Sequence, residues 1–236
     1  MAVKTIQSVE NALTVIEALA SVQPAGVSAL AREVDLDKNA VQRILVTLGQ
    51  AGWIRQTETG EWTITSKTLQ IGTHFTSGLR ETAHPYLLRL HGDTDETVVL
   101  FAREGTSMVV LDSIDSSQPL RMTVPVGMVV PMRQSAAFDA FLPDAERLLL
   151  PGIDPAPSDA DVQRVRRDGY FVIDELYPNA IAAGAPINDS RGIPIATITV
   201  VGPKVRVTKA AARRIGAQAA RTAADITAAA APARLR

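Results

Sequence analysis

The stretch "LAREVDLDKNAVQRILVTLGQAGWI", residues 30–54, holds two apolar-periodic runs on either side of a small acidic knot, Asp35-Leu36-Asp37. The first run puts Leu30, Ala31 and Val34 on one face of a short helix that Ser28 can cap and that ends at Asp35. The second opens at Asp37, whose carboxylate suits an N-cap, and spaces Val41, Ile44, Leu45 and Leu48 as a buried helical stripe. Gly52 closes it. The face opposite that stripe carries Asn39, Arg43, Val46 and Gln50, with Gln42 on its flank.

Those polar types match groove readers. Arginine can donate two hydrogen bonds to guanine, asparagine and glutamine can pair with adenine, and the first residues of a recognition helix lie nearest the bases. Gln42 and Arg43 are therefore candidates for base edges, with Asn39 beside them, and Lys38 for a phosphate. Any exposed helix carries such residues, so the neighbouring elements decide. Upstream, Val9, Leu13, Ile16, Leu19 and Ala20 repeat at helical spacing behind Ser8, a candidate N-cap, until "QPAG" stops the run. Downstream, "WIRQTE" and "EWTIT" flank a Gly-containing turn and read as a hairpin, which adds Arg55 as a phosphate contact. Helix, helix, helix, hairpin is the order of a winged helix-turn-helix. Many such proteins place glycine where Asp35 stands, because the turn needs a positive φ, which aspartate tolerates better than most residues.

Beyond the hairpin, "LQIGTHFTSG" (69–78) is helix-compatible and reads as a linker. A helix "HPYLLRLHGDT" after Pro85 leads into three β-rich runs, "ETVVLFARE", "GTSMVVLDSID" and "LRMTVPVG". "MRQSAAFDAFL" and "DAERLLL" read as helices, "PGIDPAPSD" as a loop, and "ADVQRVRRDGY" as a helix capped by Ser158 or Asp159 and ended by Gly169. Strand candidates "YFVIDEL", "IAAGAPIND" and "IPIATITVVGP" precede a final helix from near Thr208, whose Arg213, Arg214 and Arg221 read most simply as a solvated face, the other reading being a basic helix that approaches DNA or an acidic neighbouring subunit. Strands and helices do not alternate strictly, so the class is α+β. The expected domains are a winged helix-turn-helix over 1–67, a linker helix over 68–82, and an α/β domain with an antiparallel sheet over 83–236.

Composition sets the outer bounds. The chain has 236 residues, 46% of them hydrophobic, and a net charge of -1, as expected for a soluble globular protein of two domains. Lys/Arg and Asp/Glu number seven each in residues 1–80, nine and seventeen in 81–202, and eight and one in 203–236. The middle is acidic and the tail basic, so net charge by itself makes no case for nucleic acid. Glu10 and Glu17 interrupt the apolar pattern of the N-terminus, no uncharged run reaches membrane-spanning length, and the chain is read as cytoplasmic. The absence of cysteine excludes disulfides, thiolate catalysis and cysteine-ligated metals. His84, His91 and Asp93 lack the spacing of a helix-borne metal site. Ser135 has neither a G-x-S-x-G elbow nor any histidine after His91, and no dinucleotide or P-loop motif occurs, so no cofactor, metal or catalytic residue is expected.

Taken in order, "TIQSVENALTVIEALA" (5–20), "VSALAREVDLDKNAVQRILVTLGQAGWI" (27–54), "GEWTIT" (60–65), "VVLDSIDSSQPLRMTVPVGMVVPM" (109–132) and "RRDGYFVIDELYPNAIAAGAPINDSRGIPIATITVVGP" (166–203) resemble the IclR family of bacterial transcriptional regulators almost end to end. The resemblance implies a dimer or tetramer. Its N-terminal domains would bind double-stranded DNA at a palindromic or pseudo-palindromic operator, and its C-terminal domain would sense a small molecule, often an organic or aromatic acid. It also implies an effector site at Met122, Val130, Ser135, Ala136, Ala137, Asp174 and Thr199, with backbone N–H groups of the 135–137 segment facing an anion. Three departures stand out: Asn11 replaces a usual arginine, Ala40 a serine or threonine that touches phosphate, and Phe138-Asp139 a Gly-Lys pair. The implied mechanism is allosteric, effector binding shifting the spacing of paired winged helices, with the N-terminal helix 8–22 as a candidate interface. The competing reading is a sensor or enzyme whose winged domain makes only protein contacts.

Overall fold

A computed structural model describes residues 4–72, 74–75, 78–132, 138–147, 158–174 and 179–230. They fall into two compact units, Met1–Thr76 and Ser77–Arg236. The chain is α+β, with a helix-turn-helix unit followed by a unit built on an antiparallel sheet.

Unit 1 contains α1 (Gln7–Val22), α2 (Val27–Glu33), α3 (Lys38–Gln50), the hairpin β1 (Ile54–Gln56) and β2 (Trp62–Ile64), and α4 (Lys67–Gly72). Val15, Leu19, Leu30, Val41, Leu45, Ile54 and Trp62 bury a common core. Both serine caps expected from the sequence are displaced. The N-cap lies two residues earlier than Ser8, at extended Ile6, and Gln7 joins the first turn, where its Nε2 donates to Asn11 Oδ1 at 3.0 Å; Ser8 lies inside the helix. α2 starts from Gly26, because Ala25 is held extended by a two-way backbone bridge to Trp62, which leaves Ser28 in the first turn. The apolar stripe of α1 also divides: Val15 and Leu19 are buried, whereas Val9 and Leu13 remain 52% and 55% exposed.

The segment expected as one linker helix over 68–82 holds α4 and then the start of α5 (Gly78–Thr94). The helix expected after Pro85 in fact contains it. Proline removes a donor inside a helix and costs about 3 kcal/mol. Here Ala83, Leu87 and Leu90, all buried against the sheet, offset that cost.

Unit 2 continues with β3 (Thr97–Glu104), β4 (Ser107–Ile114), β5 (Val129–Pro131), a 3-10 turn at Phe138–Phe141, α6 (Asp144–Arg147), α7 (Asp159–Asp168), β6 (Phe171–Ile173), β7 (Ala180–Asn188), β8 (Pro194–Pro203) and α8 (Lys209–Ala230). The strands form one six-stranded sheet in the order β5-β4-β3-β8-β7-β6, every neighbour antiparallel. One face packs Val98, Leu100, Ile187, Ile198 and Val200 against α5 and α8. The other carries Val99, Phe101, Met108, Val110 and Val201 beneath Leu142, Met122 and Val124.

"LRMTVPVG" is not a strand. Pro125 cannot donate to a ladder, and Gly127, at φ +85°, turns the chain so that pairing with β4 begins only at Val129. Gly127 N already donates to Val110 O at 2.9 Å, and side chains hold the rest of the segment: Thr97 Oγ1 donates to Met122 O at 2.5 Å and Arg206 Nη2 to Leu120 O at 3.1 Å. Of "MRQSAAFDAFL", residues 133–137 lie outside the described residues, and Phe138–Phe141 form a 3-10 turn in place of the expected helix; of "DAERLLL", the described part is α6. The Ser158 cap and the Gly169 stop stand as expected, with Ser158 Oγ accepting from Asp161 N and Gly169 at φ +73°.

The register of β3 against β4 shifts between Leu100 and Phe101: Leu100 pairs with Asp112, but Phe101 pairs with Val110. Leu111 is the extra residue of a β-bulge. Consecutive residues Leu111 and Asp112 therefore both face α5, and alternation resumes with Ser113 opposite Val99.

Candidate DNA-reading helix and effector face

The acidic knot does two separate jobs. Asp35 takes φ +50° and makes the turn between α2 and α3, which Leu36 N closes by donating to Ala31 O at 3.1 Å. Asp37 caps α3: its Oδ1 accepts from Asn39 N at 2.8 Å and from Ala40 N at 3.2 Å. Val41 and Leu45 are wholly buried, and Ile44 and Leu48 pack at the margin of the same core. That packing fixes the rotation of the helix. Lys38, Asn39, Gln42, Arg43, Val46 and Gln50 are left exposed. Among the described residues, the side chains of Lys38, Asn39, Gln42, Arg43 and Arg55 make no hydrogen bond or ion pair; Asp37 Oδ1 and Thr47 Oγ1 reach only the backbone of Asn39 and Arg43. Arg55 lies exposed on β1, next to buried Ile54, and pairs in register with Thr63.

A groove of about 530 Å³ runs between α1 and α3, lined by Val9, Leu13, Ile16, Ile44, Leu48 and Trp53 among others, with Arg43 at its border. It joins the outward apolar residues of α1 to α3.

In unit 2 the candidate effector residues separate into groups. Met122 and Val130 belong to one apolar cluster with Val99, Phe101, Met108 and Val110. Thr199 shares that face, because it pairs with Val99 across β3 and β8. The alternation of β8 adds Thr197, a residue that sequence reasoning passed over although it lies two positions from Thr199. The two hydroxyls are buried and 3.3 Å apart. Ser113 also faces this side, its Oγ buried and without a partner among the described residues. Beside Thr199, Gly184 leaves a gap that the Phe171 ring fills: a Cβ at Gly184 would lie 2.5 Å from Phe171 Cζ and 2.7 Å from Thr199 Oγ1. Asp139 is buried at the edge of this region. Ser135, Ala136 and Ala137 lie outside the described residues.

Asp174 stands apart from that face. Its Oδ2 meets Lys209 Nζ, on the first turn of α8, at 2.6 Å, and this hydrogen bond is the main cause that lowers the Asp174 pKa below its ordinary value. Of the two histidines weighed as metal ligands, His84 Nδ1 faces Asp112 Oδ2 at 2.7 Å and His91 Nδ1 faces Glu96 O at 3.0 Å.

A family model described as the IclR helix-turn-helix domain matches residues 8–58, and one described as the bacterial transcriptional regulator IclR C-terminal domain matches 74–146 and 154–228. The chain is 26% identical over 244 residues to the acetate operon repressor of Salmonella typhimurium, covering 94% of this chain and 89% of that protein. Its fold is similar to the crystal structure of an IclR family transcriptional regulator from Brucella abortus, with a TM-score of 0.81 at 21% identity over 96% of this chain and 93% of that one. It is also similar to an IclR homologue from Microbacterium hydrocarbonoxydans complexed with 4-hydroxybenzoate, with a TM-score of 0.73 at 18% identity over 94% of this chain and 99% of that one. The two family models together span most of the sequence, one on each unit, and the chain belongs to the IclR family of bacterial DNA-binding transcriptional regulators, which are not enzymes.

Proposed function

We propose that this regulator reads a two-fold related operator through α3 and the wing, and that a small organic molecule of the organic or aromatic acid class, bound on the sheet face opposite α5 and α8, changes its DNA affinity. In this reading Gln42 and Arg43, with Asn39, meet base edges, and Lys38 and Arg55 hold phosphates. The observation that carries it is the unengaged polar face of a helix whose rotation is fixed by a buried stripe and whose N-terminus is capped by Asp37. Ala40, partly buried in the first turn, has no hydroxyl to offer a phosphate. The backbone contacts then fall to Lys38 and the wing.

The effector site comprises Met122, Val130 and Thr199 with the 135–137 segment carried over by resemblance, and Asp174 belongs to it only if its Lys209 partner is exchanged for ligand. The bound 4-hydroxybenzoate of the Microbacterium homologue supports the acid class. Residues 1–67 would act as the DNA-binding domain, 68–82 as the linker and 83–236 as the effector and oligomerisation domain. A second copy is the partner that the exposed Val9 and Leu13 and the α1–α3 groove favour, because one recognition helix reads few base pairs and two half-sites multiply the contact energy.

Two measurements test these assignments. Arg43→Ala should weaken binding to an operator selected from random DNA by about 1–3 kcal/mol in a gel-shift titration at fixed salt. Unchanged affinity refutes the base-reading role. A thermal-shift screen of small organic and aromatic acids should find ligands that raise the melting temperature by mass action. If none does while neutral compounds do, the acid class is wrong.

A further inference from the structure

We propose that Asp112 is a positioning residue for the linker: it is the buried carboxylate by which β4 holds the first turns of α5. α5 begins at Gly78, directly after the boundary between the two units. Arg80 and His84, four residues apart on its first two turns, both face Asp112. Its Oδ2 lies 2.7 Å from His84 Nδ1 and 3.9 Å from Arg80 Nε, and its Oδ1 accepts from Ser113 N at 3.0 Å. The Asp112 side chain is 6% exposed, whereas those of His84 and Arg80 are 46% and 49% exposed. The acid is inside, and the helix covers it.

The bulge at Leu111 makes this contact. With regular alternation Asp112 would share a face with Val110 and stand among Met108, Val110 and Val130, where a carboxylate would be buried in apolar surroundings. One extra residue turns it to α5 instead. Pro85, next to His84, cannot donate to the carbonyl of Glu81, so the first turns of α5 are tied to the rest of the helix by one hydrogen bond fewer. A side-chain anchor there carries more of the helix's placement than it would in an uninterrupted helix.

With the anchor intact, the sheet fixes where the chain leaves α5 toward unit 1. Without it that exit point becomes a distribution, and DNA affinity falls because the paired winged domains are less pre-organised for their half-sites. The opposite face of β4 carries Met108, Val110 and Ser113, so the same strand could pass ligand binding to the linker; this last step rests on the effector-face reading above and the effect on DNA on the two-fold operator reading, whereas the anchor rests on neither.

The test uses the full chain as wild type, Asp112→Asn, His84→Gln and the double variant. Hydrogen exchange is followed over residues 78–88, with β3 and β8 as controls, and affinity is measured for a duplex that the wild type selects from a random pool. Asp112→Asn should speed exchange over 78–88 at least tenfold, leave β3 and β8 unchanged, and raise Kd at least threefold. His84→Gln should do the same to a smaller degree, and the double variant should match Asp112→Asn. Wild-type exchange in Asp112→Asn overturns the proposal, as does faster exchange with unchanged Kd. Equal acceleration in β3 and β8 also overturns it, because Asp112 would then be a general stabiliser. Failure of every compound, acid or neutral, in the thermal-shift screen would remove the effector reading and leave these readouts intact.

Discussion

Replacing Asp37 with alanine isolates the feature that starts the recognition helix. Its carboxylate is exposed and accepts two backbone N–H groups, at 2.8 and 3.2 Å, that would otherwise have no partner in the first turn of α3. Loss of such a cap costs about 1 kcal/mol, with a range of about 0.5–2, to which the favourable charge at a helix N-terminus contributes a few tenths. Trp53 and Trp62 are the only tryptophans in the chain, and both belong to unit 1, so urea unfolding followed by tryptophan fluorescence reports on that unit alone. With a slope of about 1 kcal/mol/M for so small a unit, the midpoint should fall by roughly 1 M for Asp37→Ala. Asparagine and serine remain good caps, so Asp37→Asn and Asp37→Ser should lose less than half as much. If Ala, Asn and Ser all leave the midpoint unchanged, the cap does not hold α3, and the reasoning that places Asn39, Gln42 and Arg43 loses its starting point.

Further predictions concern unit 2. Gly184→Ala should destabilise it by about 1–3 kcal/mol by calorimetry, because the new Cβ would lie 2.5 Å from the Phe171 ring and 2.6 Å from the Ile198 carbonyl oxygen. Adding Phe171→Ala should not restore stability, since the carbonyl clash remains; full recovery would mean that the ring is the sole obstacle. Asp174 is depressed by its hydrogen bond to Lys209, so its contribution is present above the ordinary aspartate value of about 3.9 and is lost as pH falls through its lower folded value. Lys209→Met should therefore lower the melting temperature at neutral pH, and the gap from wild type should close in acid below about pH 4. A gap independent of pH would place the role of Lys209 elsewhere.

Legibility followed the range of the forces involved. Asp35 as the turn, Asp37 as the cap, the Val41–Leu48 stripe, the hairpin and the Gly169 stop follow from bonds that close within a few residues, and each is found where the sequence alone puts it, while of the two caps the sequence offered for α7 the structure takes Ser158. The Ser28 cap failed because a contact far along the chain, Ala25 to Trp62, sets the helix start instead, whereas Ser8 was displaced by an extension of α1 through the neighbouring Gln7, which bonds locally to Asn11. The "LRMTVPVG" run has strand composition but is held by Thr97 and Arg206, which are far from it in the chain.

The sequence by itself determined the order helix, helix, helix, hairpin, the α+β second unit and the residues that α3 exposes, because a helix buries one stripe and local chemistry fixes its ends; that the chain is a regulator came from its resemblance to the IclR family, which the family models bear out. Only the tertiary structure decided which of the candidate effector residues share one face of the sheet. Strand alternation puts Thr197 beside Thr199, whereas Asp174 is taken by Lys209. It also decided that Asp112 serves α5 while its neighbour Ser113 serves the other side of the sheet. A bulge of one residue reverses every side chain beyond it, and its position depends on how β4 meets β3, a pairing that composition and periodicity do not encode.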